Sequence, residues 1–302
     1  MRLRWIVRMV ALMGASLVWV PATPVLAQQH VTFPSVGDAR AGQPDPQVDG
    51  YLFQPAAGTA PHPAVVFLHG CAGLFAASGA MTPREADWAA RLTGLGYVIL
   101  AVDSFGARHQ GEECAPTAPH AVSVWHDRVH DAYGALRYLR RQSFVDADRI
   151  GVIGWSQGGM TVLDALNDAT LFGFAGQRGF RGAIAFYPAG CDRNDWSIPG
   201  SGRLNWTTSA PLLVLFGGSD TWVNASACEQ FVSAADRQGE PVSIHVYPGA
   251  FHDFDFPALA RRELPAFTPI GSKVAPVVAT DPAARADSIS LVTKFLAVTL
   301  QR

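Results

Sequence analysis

The chain has 302 residues, 49% hydrophobic and only 16% charged. So few charges, with 10% aromatics, exclude a disordered or solvating chain. With 23 Lys and Arg against 25 Asp and Glu, the net charge of −2 excludes a strongly basic nucleic-acid binder.

The first 27 residues have the three-part layout of a secretory signal peptide. Arg2, Arg4 and Arg8 form a basic start, an apolar stretch runs from Met9 to Val20, and Pro21 breaks it. Val25 and Ala27 then stand at the −3 and −1 positions of a cleavage site. The apolar run is shorter than the roughly 20 residues of a membrane-spanning helix. Residues 1–27 are therefore read as a cleaved signal and 28–302 as one exported domain, periplasmic or secreted, with no membrane attachment afterwards. Cleavage removes three Arg and no acid, which takes the net charge from −2 to −5.

From about residue 50, short apolar runs alternate with longer amphipathic ones. Ala64–Leu68 reads as a strand buried on both faces. Thr82, Pro83 and Glu85 stand at N-cap, N1 and N3, which predicts a capping box and a helix reaching about Gly94 or Gly96. Tyr97–Val102 is the next strand. His126–Arg141 is a helix, with Val129, Ala132, Tyr133, Leu136 and Leu139 on one face. Asp146–Asp148 read as a turn and Ile150–Ile153 as a strand. A helix over Gly158–Asn167 and strands at Ala183–Phe186 and Leu212–Phe216 follow. The last elements are a helix over Ala225–Asp236, a strand at Val242–Val246 and a helix over Ser288–Leu300. Strands alternating with helices predict a mainly parallel sheet with helices on both faces. Two long irregular stretches, 190–210 and 257–282, have the length of functional loops.

Gly154-Trp155-Ser156-Gln157-Gly158 fits G-x-S-x-G, with a predicted strand running into it and a predicted helix leaving it. That is the setting of a nucleophile elbow, a tight turn that exposes the serine Oγ at the carboxyl end of the sheet. A serine hydroxyl needs a base, and the base needs an orienting acid. Downstream, Asp220 and His252 each follow a predicted strand, in the order acid then histidine. Asp220 is preferred to Asp253 and Asp255, because sequence neighbours of His252 rarely reach its Nδ1. Gln157 N–H is one expected oxyanion donor. Cys71 N–H, in the small-residue loop His69–Gly73, is the other. His69 reads as a buried orienting histidine below that loop. Phe105, Trp155 and Trp222 are candidate pocket residues. All four cysteines, Cys71, Cys114, Cys191 and Cys228, lie in the exported part. An even number in an oxidising compartment suggests two disulfides, and spacing alone does not choose among the three pairings. Zinc-type Cys and His spacings are absent.

The ordered set HGCAG (69–73), AVDSFGAR (101–108), RVHDAYGALRYLR (128–140), GWSQGG (154–159), FYP (186–188) and YPGAFHDFD (247–255) resembles the dienelactone hydrolase family of α/β-hydrolases over roughly residues 50–256. The resemblance implies a compact α/β-hydrolase fold without a large lid domain. Typical members carry Cys as nucleophile where this chain has Ser156. Those acting on dienelactone carry a Glu where it has Gly70. They also hold the substrate carboxylate with two Arg. Arg108 matches the first, and Phe256 stands at the second. These departures resemble the exported serine-type branch, which implies other esters. The fold also implies neighbouring strands before Cys71 and Cys114, and before Cys191 and the Cys228 helix, hence the pairs Cys71–Cys114 and Cys191–Cys228.

The expected activity is hydrolysis of a small-molecule carboxylic ester or lactone through Ser156, His252 and Asp220 and an acyl-enzyme, with no metal or organic cofactor. A peptidase or polyester hydrolase with the same triad is the alternative within enzymes. A catalytically silent ligand- or partner-binding α/β-hydrolase is the alternative outside them. A thiol enzyme built on Cys71 is disfavoured, because no elbow surrounds it.

Overall fold

Each of the six predicted strands takes its place in one eight-stranded sheet, and two further strands extend it. The computed structural model describes residues 28–37, 45–118, 120–174 and 178–301, so the expected signal, 1–27, lies outside the described residues. The strands are β1 (Gln28–Pro34), β2 (Gln47–Phe53), β3 (His62–Leu68), β4 (Val98–Asp103), β5 (Val145–Trp155), β6 (Ala183–Phe186), β7 (Leu212–Gly217) and β8 (Val242–Tyr247). Their spatial order is β1-β2-β4-β3-β5-β6-β7-β8. β1 and β2 are antiparallel to their neighbours, and every pairing from β4 to β8 is parallel. The helices are α1 (Pro83–Gly94), α2 (Asp127–Arg140), α3 (Gln157–Leu166), α4 (Asp168–Gly173), α5 (Ala225–Arg237) and α6 (Pro282–Leu300). This is the α/β-hydrolase arrangement, with a mostly parallel sheet covered by helices and no large lid.

Burial follows position in the sheet. β4, β6 and β7 are buried throughout, as central strands covered on both faces must be. β8, at one edge, alternates between half-buried and exposed over most of its length. β1 and β2 escape a reading based on continuous apolar runs because polar residues interrupt them. β2 shows only a period of two, with Val48, Gly50 and Leu52 buried.

Three local expectations are corrected. Asp146–Asp148 are not a free turn but the start of β5. The turn-like contact of Asp148 N with Asp146 Oδ1 survives there, at the register shift opposite His62 and Ala64. The capping box of α1 does not form. Thr82 makes no side-chain cap bond, and the Glu85 carboxylate turns instead to Arg84, whose Nη2 donates to Glu85 Oε1 at 2.6 Å. The last helix starts six residues early, at Pro282, because the Asp281 carboxylate caps it by accepting from Ala283 and Ala284 N–H, both at 3.0 Å.

Cysteine pairs Cys71–Cys114 and Cys191–Cys228 are both disulfide-bonded. The 190–210 stretch carries a two-residue antiparallel pair, Ser197–Ile198 with Arg203–Leu204. The 257–281 stretch carries another, Arg262–Glu263 with Val277–Val278. Among the described residues, no helix is long and apolar enough to cross a membrane.

The Cys191–Cys228 bond closes a loop of 37 residues in sequence. Replacing both by Ala should lower the unfolding free energy by about 3 kcal/mol, chiefly by freeing the unfolded chain. Urea unfolding measures this, and an unchanged midpoint would mean that the crosslink contributes nothing.

Candidate active site

β5 ends at Trp155, and α3 begins at Gln157. Ser156 alone makes the reversal between them, at φ 53° and ψ −113°. A side chain is strained there, at a cost of about 1–3 kcal/mol, and surrounding structure must hold it. Glycines make the turn possible. A Cβ at Gly154 would lie 2.2 Å from Gly158 O, and one at Gly158 would lie 2.0 Å from Leu68 O. The two outer glycines of G-x-S-x-G are therefore close-approach positions. Ser156 N–H donates to Phe186 O at 2.9 Å and fastens the turn to β6.

Asp220 lies beyond β7 and His252 beyond β8, so parallel pairing brings both to the sheet end where Ser156 stands. The His252 Nδ1–H donates to Asp220 Oδ2 at 2.6 Å, and both side chains are buried. Asp220 Oδ1 accepts from Trp222 N–H (2.8 Å) and Val223 N–H (3.1 Å), which fixes the carboxylate. The imidazole lies between Tyr187 and Trp222, at ring-centre distances of 4.4 and 5.0 Å. Burial lowers the His252 pKa, but the charge and hydrogen bond of Asp220 outweigh it, so the net shift is upward.

Ser156 and His252 wall one cavity of about 190 Å³, together with Gly70–Gly73 and the Cys71–Cys114 bridge. Trp222, Phe256, Leu259, Leu264, Phe267 and Val278 give it an apolar side. The 257–281 segment covers it as a small flap. Phe267 stacks on Trp222 at 5.7 Å, Val277 N–H donates to Thr221 Oγ1, and Ala279 N–H donates to His252 O.

The two expected oxyanion segments are braced by one residue that sequence reasoning missed. Arg128, fully buried at the start of α2, donates from Nη2 to His69 O (2.6 Å) and from Nη1 to Gln157 Oε1 (2.8 Å). Burial pulls its pKa down to about 10 against the pull of Asp131 and Glu113. Cys71 walls the cavity. Gln157 turns its side chain to Arg128 and, as the first residue of α3, has a backbone N–H outside the helical ladder. His69 is buried, with Nδ1–H donating to Gly70 O at 2.7 Å. Burial and then the charge of Arg128 keep its pKa well below the usual value.

Three candidate pocket residues sit elsewhere. Arg108 grips the buried Asp131 with both terminal nitrogens, at 2.8 Å each, and is not a cavity wall. Phe105 is buried against His69 and Arg128. Trp155 points under the sheet end, where its ring packs on Phe67 and Phe186. Of the four candidates, only Trp222 lines the cavity.

A polar network under His252 was also missed. Arg84 donates from Nη1 to Asp253 Oδ1 (2.8 Å) and Tyr187 OH (3.2 Å), and from Nη2 to Glu85. Asp255 is 1% exposed and accepts from Trp88 and Trp155 indole N–H and from Tyr187 O–H. Burial raises its pKa, opposed by Arg84 and by the Tyr187 and Trp88 hydrogen bonds. FYP and FHDFD were visible as motifs, but nothing in one sequence says that they meet. Among the described residues, no cluster of His, Cys, Asp or Glu is arranged to hold a metal ion.

A family model described as "Dienelactone hydrolase family" matches residues 48–300. A Bradyrhizobium sp. protein named "Probable 2-oxo-3-(5-oxofuran-2-ylidene)propanoate lactonase" is 26% identical over 236 residues, covering 77% of this chain and 86% of that protein. Mouse (Mus musculus) dipeptidyl peptidase 8 is 28% identical over 188 residues, 55% of this chain. The match spans only 20% of the peptidase's length. Among solved structures, a dienelactone hydrolase-like promiscuous phosphotriesterase from metagenomic libraries is similar at TM-score 0.64 and 20% identity, covering 91% of this chain and 99% of that one. Thermogutta terrifontis esterase 2 is similar at TM-score 0.58 and 19% identity, over 92% and 96%.

The Gly158→Ala variant tests the elbow packing. Its methyl group would press on Leu68 O and His69 O, at 2.0 and 2.6 Å. A loss of about 1–3 kcal/mol in thermal or urea unfolding is expected, and wild-type stability would refute the close-approach argument.

Proposed function

The chain belongs to the dienelactone hydrolase family, and from that premise we propose that it hydrolyses small carboxylic esters or lactones through an acyl-enzyme on Ser156. Ser156 Oγ attacks the carbonyl carbon while His252 Nε2 takes its proton. Asp220 holds the imidazole in the tautomer that leaves Nε2 free and stabilises the imidazolium. The N–H groups of Cys71 and Gln157 receive the oxyanion. His252 passes the proton to the departing alkoxide, and water then repeats the sequence on the acyl-enzyme to release the acid. The observation that carries this reading is the 2.6 Å Asp220–His252 pair behind the cavity that Ser156 enters from its strained turn.

Substrate size follows from the walls. About 190 Å³ is below the roughly 300 Å³ at which drug-sized pockets begin, which favours short acyl groups. Neither position expected to bind a substrate carboxylate serves that purpose. Arg108 is spent on Asp131, and Phe256 places its ring 5.0 Å from the Arg84 guanidinium instead of a second cation. Two guanidiniums line the cavity, Arg84, engaged by Glu85 and Asp253, and Arg262 of the flap. The lactonase named above supports lactones as part of the range. The two disulfides support action in an oxidising compartment, periplasmic or extracellular.

Ser156→Ala should lower kcat on p-nitrophenyl butyrate by roughly a thousandfold or more without unfolding the protein. Retained turnover, or failure of a fluorophosphonate to label wild-type Ser156, would overturn the assignment.

Only neutral His252 can act as base, so kcat/KM should fall as pH drops through its pKa. The acid limb should have its midpoint above the ordinary imidazole value of 6.5, because Asp220 outweighs burial. Asp220→Asn should move that midpoint down as well as lowering the plateau. Stability runs the other way: the raised pKa stabilises the fold below the ordinary value and is lost as pH rises through the raised one. A midpoint below 6.5 in the wild type would contradict this.

A further inference from the structure

We propose that Asp255 is a positioning residue, separate from the acid that orients His252, and that it clamps the serine turn to the histidine loop. This rests on the Ser156 and His252 reading above. Asp255 Oδ2 accepts from two indoles, Trp88 of α1 at 2.8 Å and Trp155 at 2.9 Å. Trp155 is the residue before Ser156. Asp255 Oδ1 accepts from Tyr187 O–H at 2.5 Å, and the Tyr187 ring lies 4.4 Å from the His252 imidazole. Asp255 itself lies three residues after His252, and its carbonyl accepts from Arg285 Nε of α6 at 3.1 Å. One buried carboxylate thus ties together α1, the end of β5, the residue after β6 and the loop that presents His252.

Backbone strain gathers at the same place. Five non-glycine residues among those described have a positive φ, and Ser156, Tyr187 and Asp253 are three of them. Such conformations persist only where neighbours hold them. Tyr187 is held at its hydroxyl by Asp255, Asp253 and Arg84 together. Asp253 is held by Arg84 as well. Asp255 accepts from three N–H or O–H donors, two on Oδ2 and one on Oδ1. An amide at this position offers one acceptor oxygen for the three donors and so breaks at least one of the three ties to residue 255. The Ser156 turn and the His252 ring would then relax independently of each other. Distances between nucleophile and base govern rate far more than they govern ground-state binding.

The test is a double-mutant cycle in the full chain. Asp255→Asn should lower kcat on p-nitrophenyl butyrate by roughly 10- to 100-fold with KM nearly unchanged. Fluorophosphonate labelling of Ser156 should slow by the same factor. Adding Trp155→Phe to Asp255→Leu, which accepts from neither indole, should cost little more than Asp255→Leu alone, because both remove the Trp155 contact. Full kcat in Asp255→Asn with only a lowered melting temperature would make the carboxylate a stabilising group and nothing more. Multiplying effects in the cycle would likewise overturn the proposal. Should Asp255→Asn fail to fold, Tyr187→Phe and Trp155→Phe remove one donor at a time and leave the carboxylate paired. Each should lose several-fold in kcat at constant KM, and full kcat in both would refute the clamp. Labelling of wild-type Ser156, absent in Ser156→Ala, checks the underlying reading independently. Labelled wild type with fully active clamp variants would defeat only the role of Asp255.

Discussion

The reversal at Ser156 is the constraint around which the molecule is arranged. One residue turns a central strand into a helix at φ 53°, and nothing in serine favours that conformation. The turn persists because what flanks it cannot move. β5 is paired on both sides, with β3 and with β6, and the Ser156 N–H is taken by Phe186 O. Gly154 and Gly158 let α3 descend onto β3 closely enough that any side chain there would collide with backbone. Strain at one residue is thus offset by ladders and packing spread over three strands and a helix. The result is a hydroxyl held at the carboxyl edge of the sheet, with the amino-terminal end of α3 and its positive dipole immediately behind it.

Charge is distributed to support this edge from below. Arg128 lies under the oxyanion side and Arg84 under the histidine side, and both are buried. Neither stands alone: Arg84 meets Glu85 and Asp253, while Asp131 and Glu113 act on Arg128. Pairs of this kind contribute little net stability, because burial costs each ion its hydration. Their value lies in direction, since each guanidinium donor fork holds two chain segments at fixed spacing. Arg128 joins His69 and Gln157, which are 88 residues apart in sequence, and Arg84 joins α1 to Tyr187 and Asp253.

What was legible in the sequence was local, periodic or ordered. Buried strands announce themselves as apolar runs, and G-x-S-x-G between a strand and a helix has few other uses. The parallel topology then brings any residue just beyond β7 and β8 to the same edge, so Asp220 and His252 follow from chain order. Three of the misreadings share one cause, competition from another side chain. Thr82 and Glu85 have capping-box spacing, but Arg84 takes the Glu85 carboxylate. Arg108 occupies a substrate-binding position in its loop, but Asp131 of α2 takes its guanidinium. Trp155 adjoins the nucleophile, yet alternation along β5 sends its ring to the opposite side, onto Asp255. Arg84 adjoins Glu85, while Asp131 lies 23 residues from Arg108 and Asp255 lies 100 from Trp155, and no spacing rule in one chain reveals these choices.

The cavity walls divide along the same line between rigid support and local adjustment. One side is the Gly70–Gly73 loop, tied through the Cys71–Cys114 bond to the 110–114 segment, where Glu113 N–H also donates to Cys71 O. That side carries the proposed oxyanion donor, which needs a fixed position. The other side is the 257–281 flap, which contributes Leu259, Leu264, Phe267 and Val278. It is fastened at its return, by Val277 N–H to Thr221 Oγ1 and Ala279 N–H to His252 O, and not at its tip, where Ile270 is 88% exposed. Residues that set the shape of the apolar side therefore hang from the same loops that carry Asp220 and His252. A change in the flap's apolar residues would therefore reshape the cavity beside Ser156, while its anchor points remain bonded to Thr221 and His252.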